Sequence, residues 1–157
     1  YSNYEIEYAN IINRNVLYWF NEITINKGSK DGIEEGNAVV THNGLVGKVI
    51  QTTNDTSLVE LITSNNNKTS ILINDLVGTI TSYQDNLLIA EGITNYDKVN
   101  INDKVYTSGL ATLPKNILIG YVKEIKKDNY DTSKILLITP SQDINNLYFV
   151  TILKNKK

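Results

Sequence analysis

The sequence predicts an all-β protein made of two small tandem six-stranded β-barrel-like domains. Three observations carry that expectation. Apolar and polar residues alternate with a period of two, as where Tyr4, Ile6 and Tyr8 are separated by Glu5 and Glu7, or where Ile23 and Ile25 flank Thr24. The alternating stretches are short and rich in Ile, Val and Thr, and turn-forming residues separate them, which is the pattern of a barrel or sandwich. A weak internal echo links "AVVTHNGLVGKV" to "KVYTSGLATLPKNILIGYV", where Thr41 and Gly47 correspond to Thr107 and Gly120. Two similar β units in tandem would produce it, the second with a longer loop.

Taken in order, the first strand covers Tyr4 to Tyr8. "NVLYWFN", residues 15–21, reads as a brief helix with Asn13 or Asn15 as its cap, because a short polar side chain before a helix accepts from its free amides. Ile23 to Ile25 is the next strand, and "KGSKDG", residues 27–32, is a turn. Ala38 to Thr41 and Leu45 to Thr52 form a hairpin across Asn43-Gly44, a pair that tolerates the positive φ of a type I′ turn, with His42 beginning that turn. Ser57 to Ile62 follows, and Asn65 to Lys68 is the junction. The second unit then offers Ser70 to Ile73, Val77 to Ser82, Leu87 to Ala90, Lys104 to Thr107, Leu118 to Ile125 and Lys134 to Thr139, with turns at Tyr83 to Asn86 and Asp128-Asn129. That gives five strands before the junction and six after it, so Leu147 to Leu153 is expected to return and complete the first barrel. The expected domains are therefore residues 1–66, residues 67–142, and a returning strand with a basic tail over 143–157, in which Lys154, Lys156 and Lys157 are solvated.

A chain of 157 residues with 41% hydrophobic and 20% charged residues is globular in composition, and its apolar runs are far shorter than the roughly 20 residues of a membrane helix. A net charge of -2 gives no positive field for phosphates, which argues against nucleic acid as a partner. Without cysteine and with a single histidine there is no thiolate or histidine-rich metal site, and no cofactor is expected. The chain has no methionine, so it is expected to be cut from a longer protein, with any signal or membrane anchor removed.

An enzymatic reading takes its sharpest form in His42, Asp55 or Asp75, and Ser108, which follow the chain order of a chymotrypsin-like triad. Ser108 lies in "YTSGLA", where Tyr106 and Thr107 replace the glycine-rich turn that builds an oxyanion hole, and His42 sits at a loop tip. The residues therefore speak against catalysis. Asp31, Glu34, Glu35, Asp97 and Asp103 do not follow the spacing of a calcium loop and read as turn and surface carboxylates. "GSKDG" lacks a following helix and is a turn, not a phosphate cradle. Tyr18, Trp19 and Phe20 allow two readings, a contact patch or an aromatic cluster closing one barrel end. Gly28, Gly32, Gly44, Gly47, Gly109 and Gly120 fall where turns, bulges or close strand approaches are expected.

The order of pieces is more specific than any one of them. "NIINRNVLYWFNEITINKGSKDGIEEGNAVVTHNGLVGKVIQTTNDTSLVELIT" followed by "DKVYTSGLATLPKNILIGYVKEI" resembles the extracytoplasmic region of the rod shape-determining protein MreC family, over nearly the whole chain. The resemblance implies two barrel-like domains, distantly chymotrypsin-like in arrangement, on the outer face of a bacterial membrane. It further implies an N-terminal membrane helix and coiled coil not included here. Members of that family are not enzymes. They scaffold the elongation machinery, contacting class B penicillin-binding proteins, MreD and other components of the complex, and several self-associate. Candidate interaction residues are Tyr18, Trp19 and Phe20, together with Leu110, Leu113 and Pro114 in a loop whose tip is expected at Leu113 and Pro114. In this loop Asn116 stands where a glycine often follows the lysine, and asparagine can supply the positive φ. The remaining alternative from the same cellular setting is a cell-wall carbohydrate-binding module, whose aromatic platform would be sought among the ten tyrosines.

Overall fold

The alternation in the sequence closes into two antiparallel barrels of six strands each. The computed structural model describes residues 3–94, 98–127 and 134–156. Asp97, the expected Asp128-Asn129 turn and Lys157 lie outside them. The strands are β1 (Tyr4–Asn13), β2 (Glu22–Ile25), β3 (Ala38–Thr41), β4 (Gly44–Thr52), β5 (Ser57–Leu61), β6 (Thr69–Ile73), β7 (Leu76–Gln84), β8 (Leu87–Ile93), β9 (Lys104–Thr107), β10 (Leu118–Lys127), β11 (Lys134–Pro140) and β12 (Phe149–Asn155). Among the described residues no helix is long and apolar enough to cross a membrane. The chain divides into one compact unit of Tyr1–Ser64 with Asp143–Lys157 and another of Asn65–Gln142.

The first barrel has the hydrogen-bonded order β1-β12-β3-β4-β5-β2, and β2 pairs back onto β1. Its wall is filled from inside by Ile23, Ile25, Leu45, Val49, Val59, Leu61 and Ile152, all at most 1% exposed. At about 1.5–3 kcal/mol for each large apolar side chain, this burial is the main stabilising contribution. Lys154 is not part of a solvated tail: its ammonium donates to the Asp31 carbonyl at 2.9 Å and lies 3.6 Å from Glu7. It bridges the end of β12 to the turn after β2.

The second barrel has the order β10-β11-β8-β7-β6-β9, and β9 pairs back onto β10. Ile71, Ile73, Leu88, Ile93, Val105, Ile119, Val122, Leu136 and Ile138 fill it and are fully buried. Among the described residues its two tight hairpins use no glycine. Asn74-Asp75 joins Ile73 to Leu76 with φ of 47° and 70°, and Asp85-Asn86 joins Gln84 to Leu87 with φ of 52° and 66°. Both pairs have the positive φ of a type I′ turn, which matches the strand twist.

The hairpin between β3 and β4 differs from expectation. Thr41 pairs with Gly44, so the two-residue loop is His42-Asn43, not Asn43-Gly44, and neither loop residue has positive φ. Gly44 takes φ +137° just after the loop, and Val46 is left over as a bulge because Val40 pairs with Leu45 while Val39 pairs with Gly47. The bulge absorbs the twist that a type I′ turn would otherwise supply.

The two barrels follow one plan. β10 bulges between Leu118 and Gly120, as β4 bulges between Leu45 and Gly47. A Cβ on Gly47 would collide with the Glu60 carbonyl of β5, and one on Gly120 with the Thr139 carbonyl of β11. Upstream, Glu34 to Asn37 and Asn100 to Asp103 make the same turn: Asn37 and Asp103 accept the first residue's amide, and Gly36 and Asn102 have φ of 90° and 75°. The Gly36 and Asn102 amides then donate to the carbonyls of Val49 and Val122. Aligned on these landmarks, β3, β4 and β5 match β9, β10 and β11, while β1 and β2 match β7 and β8. β12 stands where β6 stands, so the first barrel is a circular permutation of the second.

Candidate interaction surfaces

Two of the predicted surfaces can be built directly from their anchors. The first follows β1. Asn15 caps a 3-10 turn over Val16–Tyr18, its side chain accepting from the Leu17 amide at 2.9 Å, in line with the expected cap. Val16, Leu17 and Tyr18 point outward, Leu17 being 84% exposed. Trp19 and Phe20 are half-buried and do not join them. The Arg14 guanidinium lies 4.0 Å from the Trp19 ring centre. It donates twice to the Trp19 carbonyl, at 2.9 and 2.7 Å, and once to the Ile144 carbonyl at 2.6 Å. Burial pulls the Arg14 pKa below its ordinary value. The Trp19 indole donates to Asn145 at 3.2 Å. Trp19 thus fastens the turn to the segment that leads into β12, and the exposed apolar side chains precede it.

The second surface is the loop between β9 and β10. The Thr107 hydroxyl ties its neck, donating to the Pro114 carbonyl at 2.6 Å and accepting from the Ile117 amide at 2.9 Å. Gly109 and Asn116 turn the chain at φ 78° and 72°, so asparagine does supply the positive φ. Leu113 and Pro114 are half-buried, and the apolar side chain presented outward is Leu110, 72% exposed. The other two glycines expected in turns are found there: Gly28 begins, and Gly32, at φ 82°, ends the one-turn 3-10 segment Ser29–Asp31.

The residues of the triad reading are engaged otherwise. Ser108 is buried, and its hydroxyl lies 2.7 Å from the Ser70 hydroxyl while accepting from the Leu110 amide at 3.1 Å. Asp55 is ion-paired with Lys30, whose pKa is raised first of all by that hydrogen bond. Asp75 is a turn residue and His42 an exposed one. Asp31 accepts from the Gly28 amide at 3.0 Å, and Asp103 from that of Asn100 at 2.8 Å, so both carboxylates hold turns.

A third surface escaped the sequence reading. Tyr8 and Phe149, each 72% exposed, flank a shallow groove of about 420 Å³ on the outer wall of the first barrel. Ala9, Asn10, Thr41, His42, Val150 and Thr151 line the rest. No sequence signal marks it, because its residues come together only when β12 inserts between β1 and β3.

Two closed antiparallel barrels of six strands each define the class as a double-β-barrel protein. Residues 11–154 match the family model of rod shape-determining protein MreC, barrel core. The chain belongs to the MreC family, one of shape-determining structural proteins and not of enzymes. It is 36% identical over 154 residues to the cell shape-determining protein MreC of Listeria monocytogenes, covering 93% of this chain and 52% of that protein. To the protein of the same name from Bacillus subtilis it is 29% identical over 160 residues, covering 92% and 55%. The chain thus spans about half the length of these relatives. Among solved structures, MreC of Listeria monocytogenes superposes with a TM-score of 0.91 at 34% identity, covering 98% of this chain and 77% of that one. The MreC chain in a complex between penicillin-binding protein PBP2 and MreC from Helicobacter pylori shares the fold, with a TM-score of 0.71 at 22% identity over 96% of this chain and all of that one.

Proposed function

We propose that this chain is an extracytoplasmic scaffold of the bacterial cell-elongation machinery, organising peptidoglycan synthases by binding a class B penicillin-binding protein. The observation that carries the reading is the family match across residues 11–154, covering both barrels. The Helicobacter pylori MreC described in complex with PBP2 supports that class of partner. In the same reading the parent protein is held at the membrane by an N-terminal helix, contacts MreD and other components of the complex, and self-associates.

A scaffold between transient components uses a modest interface, about 1,200–2,000 Å² in total, with affinity concentrated in a few apolar anchors. Leu110 at the loop of the second barrel and Leu17 with Tyr18 at the turn of the first are the anchors this geometry offers. Calorimetric titration against the extracellular domain of the cognate synthase tests the reading. Binding is expected, with Leu110→Asp or Leu17→Asp weakening it at least about tenfold, a loss of about 1.4 kcal/mol. No binding by the unaltered chain at high micromolar concentration overturns the partner assignment, and full binding by both variants removes these anchors.

A further inference from the structure

We propose that the groove beside Tyr8 and Phe149 is a binding site for an uncharged glycan chain, an inference that goes beyond the scaffold reading and does not rest on it. The pairing register sets out its floor. Tyr8 faces Thr151 across the β1–β12 ladder and Asn10 faces Phe149, so the four side chains make a square on the outer surface with the rings on one diagonal and the polar groups on the other. His42, at the loop after β3, closes one side.

Three features select the ligand. The rings are exposed, so they offer flat faces and not a deep apolar pocket. An aromatic face carries partial negative charge, and a pyranose ring presents a face of polarised C–H groups that complements it. The other polar side chains of the lining are an amide, an imidazole and two hydroxyls, with no carboxylate, ammonium or guanidinium among them, which suits sugar hydroxyls and acetamides. Among the described residues the side chains of Asn10, His42 and Thr151 have no hydrogen-bond partner, so their polar atoms are free for a ligand. The third feature is backbone pairing. Phe149, Val150 and Thr151 are all paired with β1, and from Thr151 onward β12 is paired with β3 as well, so the groove floor offers only the short β3-facing side of Phe149 and Val150 to an extended peptide. Its volume lies within the range of small-ligand sites.

Titration of the ¹⁵N-labelled chain with tetra-N-acetylchitotetraose, followed by amide chemical shifts, tests the proposal. Saturable shifts are expected at residues 8–10, 41–43 and 149–151, with a Kd between about 0.1 and 10 mM. Tyr8→Ala and Phe149→Ala should each weaken binding about tenfold or more, while Tyr8→Phe keeps the ring and retains it. Because both rings are exposed, the alanine variants should keep the melting temperature of the parent, which separates loss of ligand from loss of fold. No shifts up to about 10 mM sugar overturn the proposal. So do equal shifts with an anionic oligogalacturonate, or binding that survives both alanine substitutions. If the sugar leaves the spectrum unchanged while Tyr8→Ala abolishes binding of the synthase domain, the groove is a protein-docking face and the glycan assignment is wrong. A flat sugar titration with unaltered synthase binding removes the glycan site and leaves the scaffold reading standing.

Discussion

Gly47 and Gly120 are the most constrained single residues of the two barrels. Each lies one residue after a bulge, where the neighbouring strand's carbonyl occupies the place of a side chain. Gly47→Ala should destabilise the first barrel by about 1–3 kcal/mol, since the backbone of β5 must move to admit even a methyl group. Gly120→Ala should cost the second barrel a similar amount against β11. Urea unfolding of the two variants checks both, and an unchanged midpoint in either would show that its strand pair has room. These positions were legible from sequence as glycines inside apolar strands, and the echo between them correctly identified equivalent hairpins. The similarity of Glu34-Glu35-Gly36-Asn37 to Asn100-Ile101-Asn102-Asp103 was not legible, because Gly and Asn can both adopt positive φ, and Asn and Asp accept the same hydrogen bond. The equivalence is one of backbone geometry, and letters do not record it.

At the level of elements, strand positions were readable from period-two alternation, and turn geometry was not. The Asn-Gly rule placed a type I′ turn at 43–44, where the bulge at Val46 permits a different loop. The turns with I′ dihedrals lie at Asn74-Asp75 and Asp85-Asn86, without glycine. Asn74 cannot be exchanged freely, because its amide donates to the Lys98 carbonyl and to Asp103, both at 2.7 Å. Asp75 has no such role and holds φ at 70° at a cost glycine would not bear. Asp75→Gly, which creates the preferred Asn-Gly pair, should therefore stabilise the second barrel by about 0.5–1 kcal/mol in thermal unfolding. A lowered melting temperature would mean that the aspartate contributes to the turn in some other way. The expectation at 16–20 was half right for a comparable reason: the capped turn followed from Asn15, but the split between an outward Tyr18 and an inward Trp19 depends on Arg14 and the distant segment at 144–145.

For the whole molecule, the permuted order of strands makes a direct prediction. Tyr4 of β1 pairs with Asn155 at the end of β12, just as Leu76 of β7 pairs with Ile73 at the end of β6. Two residues join the latter pair. A chain in which residues 147–155 precede residues 4–64 through an Asn-Gly link should thus fold alone into the first barrel, and residues 65–142 should fold alone into the second. Dispersed amide spectra for both pieces are the expected result, and an unfolded first piece would show that its closure requires the intervening chain. Residues 1–146 without β12 should leave the first barrel open between β1 and β3 while the second keeps its spectrum. The glycan groove should vanish with it, since three of its residues belong to β12. The insertion also carries a cost in time. A ribosome completes β5 at Leu61 but does not reach β12 until Ile62 to Tyr148 have been made, which at about 5–20 residues per second takes on the order of ten seconds. Throughout that interval the nascent first barrel has two bare strand edges, ready to pair with whatever extended chain is nearest, so each newly synthesised molecule passes through a phase in which protection by a chaperone matters more than the stability of the finished fold.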